Sequence, residues 1–131
     1  MATTTATLTL SSGDLTGDAL SLSTTATLTK AGTVTGLDQF TGIARKTFSS
    51  TAQVTLIDKG DYTDDRAHKV YLKNTSTVAT ENLIVTIESQ LLGRLYAGDW
   101  ALLPFNGDQD IKITPSVGTA MTVEYAVIYE A

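Results

Sequence analysis

Apolar and polar residues alternate along most of this chain, and this period of two constrains the fold more than any other feature of the sequence. The alternation is found in residues 52–57, 70–73, 82–88, 110–114 and 121–130. Successive side chains of a β-strand point to opposite faces, so such runs predict strands with one buried face. Turns rich in glycine, asparagine and aspartate separate the runs. The sequence therefore predicts an all-β protein, an antiparallel β-sandwich of short strands.

Threonine is concentrated near the N-terminus, where 12 of the 24 threonines lie in residues 1–36. In this stretch Thr4–Thr9 (TTATLT) recurs as Thr24–Thr29, and alanine and leucine alternate with threonine in both copies. Glycine and aspartate between the copies indicate turns, so we expect a strand–turn–strand unit. The chain then divides into a threonine-rich N-terminal segment or arm, residues 1–36, and a β-sandwich domain, residues 37–131.

Residues 82–96 carry an ambiguous pattern. A helical stripe is present, formed by Ile84, Ile87, Leu91 and Leu95. The β-branched run at 84–87 and Gly93 disfavour a helix. We therefore expect a strand over 82–89 and leave strand, helix and loop open for 90–96.

The most apolar stretch, Leu91–Phe105, contains no threonine. From Trp100 onward both alternating sets of side chains are apolar, which is typical of a strand buried on both faces. The second cover is either a neighbouring subunit or another part of the same chain, and the sequence leaves both open.

Composition and charge exclude several classes of protein. The absence of cysteine excludes disulfide-stapled modules and cysteine-ligated zinc or iron–sulfur sites. The net charge of −5 argues against a nucleic-acid partner. No apolar run suits a membrane span, and no basic, apolar leader precedes the first threonines, so we expect no membrane partner and synthesis in a cytoplasm.

Few residues suggest catalysis or metal binding. His68, the only histidine, lies in the mixed-charge run Lys59–Lys69 and is expected to be a surface residue of a solvated loop. Asp108 and Asp110 form a D-x-D that lacks the EF-hand pattern, and the preceding Asn106-Gly107 predicts a hairpin turn instead. We expect no enzyme, no cofactor and no metal site, although two carboxylates from distant strands could still form a glycosidase pair.

Aromatic residues offer a second possible site. A sugar-binding platform would use Tyr62, Tyr71, Tyr96 and Trp100. Scattered aromatics in a β-sandwich more often belong to the core or to a subunit interface. The sequence favours core or interface and leaves the platform open.

The second half of the chain has a recognisable layout. It runs from Val70–Thr75 (VYLKNT) through a strand at 83–87 to Gly93–Phe105 (GRLYAGDWALLPF), then through Asp110–Ile113 to a closing Val123–Tyr125 strand. Over residues 69–130 this layout resembles small virion structural proteins of tailed bacteriophages, particularly of cyanophages and marine phages. The resemblance implies a jelly-roll-like β-sandwich that acts as a capsid decoration or cement protein. The motifs that carry the resemblance contain no catalytic residue.

The resemblance also implies partners and a location. The expected partners are the major capsid protein and further copies of this chain in a homotrimer, on the outer surface of the virion capsid after synthesis in the host cytoplasm. The N-terminal segment would contact the shell or a neighbour, and the apolar strand would pack between subunits. The expected interface residues are Leu8, Leu10, Leu28, Tyr96, Trp100, Leu102, Leu103 and Phe105. The alternative is a receptor- or glycan-binding knob of a phage tail or fibre.

Overall fold

A computed structural model describes residues 2–131, which form eleven β-strands and one 3₁₀ turn, without an α-helix in that range. The 3₁₀ turn is Lys59–Asp61. The strands are β1 Thr4–Ser12, β2 Leu20–Leu28, β3 Gln39–Phe40, β4 Ala44–Thr47, β5 Val54–Ile57, β6 His68–Asn74, β7 Asn82–Ile87, β8 Gln90–Tyr96, β9 Trp100–Phe105, β10 Ile111–Pro115 and β11 Thr122–Tyr129. The predicted all-β class is confirmed, and residues 90–96, left open by the sequence, are strand.

Two antiparallel sheets pack face to face, which confirms the predicted sandwich. One sheet has the strand order β5-β10-β7-β8. The other has the order β3-β11-β6-β9, with β4 pairing the same strand β11. The pairings β7 with β8, β6 with β9, β5 with β10 and β4 with β11 are nested. The chain from β4 to β11 therefore resembles one long hairpin, with its tip between β7 and β8, folded into two layers.

The core consists of side chains that the alternating strands direct between the two sheets. Strand β6 shows this arrangement clearly, because its residues alternate strictly between buried and half-buried. Val70 and Leu72 of this strand have no exposed surface. The inward set comprises Phe48, Ile57, Val70, Leu72, Leu83, Val85, Leu95, Phe105, Ile111, Ile113, Met121, Val123 and Val127.

Strands β1 and β2 lie outside the sandwich and pair only with each other among the described residues. Their antiparallel register places Thr5 opposite Thr27 and Ala6 opposite Ala26, so the two TTATLT copies face each other. The predicted strand–turn–strand unit is thereby confirmed. We call residues 4–28 the hairpin arm.

Candidate interaction surface

The hairpin arm has two chemically different faces. One face, the hydroxyl face, carries Thr5, Thr7, Thr9, Ser11, Ser21, Ser23, Thr25 and Thr27, and the hydroxyls of Thr7 and Thr25 are 2.9 Å apart. The opposite face, the leucine face, carries Ala6, Leu8, Leu10, Leu20, Leu22, Ala26 and Leu28, together with Thr4, Ser12 and Thr24. The period of two and the register together produce this separation, since opposite residues of paired strands share a face.

Most of the leucine face is uncovered. Only Leu28, at the base of the arm, is buried, and Leu8 is half-buried. Leu10 and Leu22, which are cross-strand partners, are 40% and 43% exposed. A two-stranded ribbon alone is marginally stable in water. An uncovered apolar face on such a ribbon is typical of a surface that contacts another molecule.

The segment that follows the arm is fixed to the sandwich by the carboxylate of Glu130. Its Oε2 accepts hydrogen bonds from the backbone N–H of Ala31 (3.0 Å) and of Ala67 (3.2 Å), and Arg66 Nη1 lies 3.7 Å from Oε1. Glu130 is 8% exposed. The hydrogen bond from Ala31, assisted by Ala67 and Arg66 against the effect of burial, lowers the pKa of Glu130. This buried carboxylate therefore links the N-terminal segment to the last strand.

The lowered pKa of Glu130 predicts a pH-dependent anchor. Its contribution to stability is complete above the ordinary value of 4.5 and is lost as the pH falls through the lowered pKa. We expect Glu130→Gln, which cannot ionise, to lower the urea midpoint at neutral pH. The difference from the native chain should shrink as the pH falls below 4.5 and through the lowered pKa. Urea titrations at several pH values measure this difference in midpoint between Glu130→Gln and the native chain. A difference that stays constant down to acid pH would contradict the anchoring role of the ionised carboxylate.

A second apolar surface lies on the outward side of the five-stranded sheet. The pairing register aligns Leu102, Tyr71 and Ala126 in one row across β9, β6 and β11, and we call this row the outer strip. Lys73 and Lys69 occupy the rows on either side of it. The outer strip is therefore a largely apolar band, flanked on one side by Lys69 and on the other by Lys73 and its cross-strand partner Glu124.

A groove of about 330 Å³ separates the outer strip from the base of the arm. Its lining is almost entirely apolar and comprises Thr4, Thr5, Ala6, Leu28, Phe40, Ile43, Tyr71, Leu102, Ala126 and Ile128. Phe40 and Ile43 are 58% and 65% exposed. No alternation of residue types marks these two residues, because β3 is only two residues long and Ile43 lies in its connection to β4. The leucine face and the outer strip thus meet at one open apolar groove.

The predicted interface residues of the apolar strand fall into two groups. Tyr96, Trp100 and Leu102 are 47%, 54% and 38% exposed, as an interface requires. Leu103 and Phe105 instead point inward and pack with the core of the single chain. Strand β9 is an edge strand with one inner and one outer face, and only its outer set remains accessible.

The prediction that His68 is a surface residue is also wrong. The side chain is fully buried at the start of β6. Its Nε2 lies 2.9 Å from the carbonyl oxygen of Thr63, and its Nδ1 accepts a hydrogen bond from the backbone N–H of Glu130 at 3.1 Å. The rings of Tyr62, Phe105 and Tyr129 surround it, with Tyr62 the nearest at 5.4 Å between centroids. The imidazole thus has a structural position inside the sandwich.

The aromatic platform is not assembled. Tyr62 belongs to the cluster around His68, while the hydroxyl of Tyr71 donates a hydrogen bond to Glu124 at 3.1 Å on the outward side of the sheet. Tyr96 and Trp100 are the two exposed aromatics of the four. They lie at the end of β8 and the start of β9, which belong to different sheets.

The D-x-D segment is not a hairpin turn, which corrects the sequence prediction. It connects β9 to β10, which lie in different sheets. Gly107 does adopt the positive φ expected for Asn-Gly, at 95°. The carboxylate of Asp110 accepts a hydrogen bond from the backbone N–H of Lys59 at 2.9 Å. This contact gives Asp110 a structural role at the corner of the sandwich.

Among residues 2–131 no group of three or more histidine, aspartate or glutamate side chains is arranged to hold a metal ion. No helix in the described part of the chain has the length and apolar character needed to cross a membrane. Comparisons with protein-family models, with curated proteins and with solved structures found no match.

Proposed function

We propose that this chain is a structural protein of a phage virion, a decoration protein that binds the outer surface of the head and stabilises contacts between major capsid subunits. The observation that carries the proposal is the uncovered leucine face of the hairpin arm, where Leu10 and Leu22 are 40% and 43% exposed. The resemblance of residues 69–130 to phage virion proteins supports the viral setting. A protein of this kind works by burying surface and has no catalytic activity.

The nested strand pairs support a jelly roll as the finer description of the sandwich. In a jelly roll a long antiparallel hairpin is rolled into two sheets, so that the strands pair from the tip outward. The pairs β7–β8, β6–β9, β5–β10 and β4–β11 follow that order. We infer that the hairpin arm is an addition to this unit.

The arm suits a role in attachment because of its length and its free edges. Nine residues in each strand give it a reach of about 30 Å from the sandwich. Neither outer edge of the ribbon pairs with another strand within residues 2–131, so main-chain groups are available to add the ribbon to a sheet of a neighbour. On a symmetric shell each such contact is repeated, which multiplies its effect.

The test is to add the purified protein to phage heads assembled without it. We expect saturable co-sedimentation at a fixed number of copies per head, with a higher temperature of head disruption. Tails and fibres from the same particles serve as the control and should bind far less. Binding to tails or fibres without binding to heads would contradict the proposal.

A glycan-binding knob remains the second candidate, because Tyr96 and Trp100 are both exposed aromatics. Aromatic side chains at a surface can stack against sugar rings. This function requires binding to cell-surface glycans that Trp100→Ala abolishes. A glycan array probed with the native chain separates the two proposals, since a decoration protein should give no specific signal there.

A further inference from the structure

We propose that the tip of the hairpin arm of one copy docks on the outer strip of a second copy of the same chain, in a head-to-tail contact. This inference rests on the proposed function and deepens it by naming the partner of the arm. It joins the two apolar surfaces that the single chain leaves open.

The two surfaces are complementary in their apolar character. The tip half of the arm presents Leu10, Leu22 and Leu15, of which Leu15 in the turn is 52% exposed. The receiving surface is the outer strip with its open groove of about 330 Å³. A leucine side chain entering this groove would be removed from water together with the groove lining, which favours association.

The arm cannot fill this groove with its own tip. Its base already forms one wall, through Ala6 and Leu28. The tip lies at the other end of two paired nine-residue strands, about 30 Å away. The side chains at the base of the arm leave the groove open. Leucines of an arm tip would therefore reach this groove only from a second copy.

The charges at the two surfaces also match. Asp14 and Asp18 are the only charged residues of the hairpin arm. Neither has an ion-pair partner within residues 2–131. On the sandwich, Lys69 Nζ donates hydrogen bonds to the carbonyl oxygens of Ala67 and His68. Lys73 lies opposite Glu124, whose carboxylate also pairs with Arg45 at 2.9 Å. Arg45, Lys69 and Lys73 outnumber Glu124 beside the strip, so this surface is net positive and complements the two acidic groups at the tip.

A contact between different surfaces of identical subunits is heterologous. Such contacts close into a ring when the rotation between subunits allows it and otherwise extend into a filament. A ring of three copies would agree with the proposed homotrimer. Each subunit would then give one arm and receive one arm.

The leucine contact is tested with the double variant Leu10→Thr/Leu22→Thr, which keeps a high strand propensity on both arm strands. We expect its dissociation constant for self-association, measured by analytical ultracentrifugation, to rise about tenfold or more. A change of this size corresponds to the loss of one apolar contact from the binding free energy. The matched control is Thr9→Ser/Ser23→Thr, the adjacent cross-strand pair on the hydroxyl face. It should associate like the native chain. Equal effects of the two double variants would overturn the proposal.

The charge contact is tested by reversal and rescue. Asp14→Lys/Asp18→Lys should weaken self-association, and adding Lys73→Glu to the same chain should restore it. The control Asp64→Lys/Asp108→Lys makes the same change in net charge at exposed positions away from both surfaces. A native chain that stays monomeric at 100 μM, or a third substitution that restores nothing, would overturn the contact. Head binding by a strict monomer would leave the decoration role standing, whereas ring formation without head binding would remove only that role.

Discussion

Replacing His68 with alanine is expected to lower the free energy of unfolding by about 3–5 kcal/mol, the range for truncating large buried rings. The side chain has no exposed surface, and it packs among Tyr62, Phe105 and Tyr129. Truncation would leave a cavity there. It would also remove the acceptor of the Glu130 backbone N–H, a buried donor that then has no partner. For a domain with total stability of about 5–15 kcal/mol this is a large loss.

Two variants separate packing from hydrogen bonding at this position. His68→Phe retains a ring of similar size but makes neither hydrogen bond, so we expect a smaller loss of about 1–3 kcal/mol. Asp64→Ala changes an exposed residue of the preceding loop and should alter stability by less than about 0.5 kcal/mol. Urea unfolding at neutral pH measures all three. An alanine variant as stable as the native chain would mean that the imidazole is not part of the core.

Replacing Gly36 with alanine is expected to displace the base of the arm from the sandwich and to lower the free energy of unfolding by about 1–3 kcal/mol. A Cβ added at Gly36 would lie 2.1 Å from the carbonyl oxygen of Ala2. Backbone cannot yield as a flexible side chain does, so the residues that lead into β1 must move away. We therefore expect the variant to keep a folded sandwich and to lose self-association and head binding together.

The control for Gly36 is another glycine of the N-terminal segment. At Gly13, in the arm turn, an added Cβ meets nothing within 4 Å, and φ is not in the left-handed region. Gly13→Ala should therefore leave stability and assembly unchanged. Amide hydrogen exchange locates the difference, since Gly36→Ala should increase exchange in β1 and β2 but not in β6. Native exchange rates in the arm of the Gly36 variant would contradict this role of the glycine.

The sandwich and the arm differ in how far their apolar side chains are buried within the single chain. The nested strands enclose a core of thirteen fully or nearly buried apolar residues. The arm has a single buried leucine, Leu28, and a half-buried one, Leu8, while its other leucines are exposed in the single chain. A sandwich with its own core is able to fold alone, whereas we propose that the arm gains its remaining apolar cover from a neighbour. This difference is the physical reason for assigning assembly to the arm.

The alternation of residue types predicted the local structure well. Strands β6, β7, β10 and β11 follow the runs that the period of two marks, and the repeated TTATLT pairs with itself in the arm. The formation of a strand and the division of its side chains into two faces both depend on residues that are close in sequence. Both can therefore be read from spacing alone.

The errors concern which face is inside and which strands are neighbours. Leu103 and Phe105 share a face of β9 that turns inward, and nothing in an all-apolar strand distinguishes it from the outward set. His68 was placed in solvent because charged residues precede it, although its own strand begins there. The turn at Asn106-Gly107 crosses between sheets because β9 and β10 each pair with strands distant in sequence. These features depend on long-range pairing, which local patterns do not contain.

The position of the protein on a phage particle tests the proposed role most directly. A cryo-electron microscopy reconstruction of particles that carry it should show the sandwich on the outer surface of the head. Density for each hairpin arm should extend to the outer strip of a neighbouring copy. Density at the tail tip or along a fibre, with a bare head surface, would contradict the decoration role.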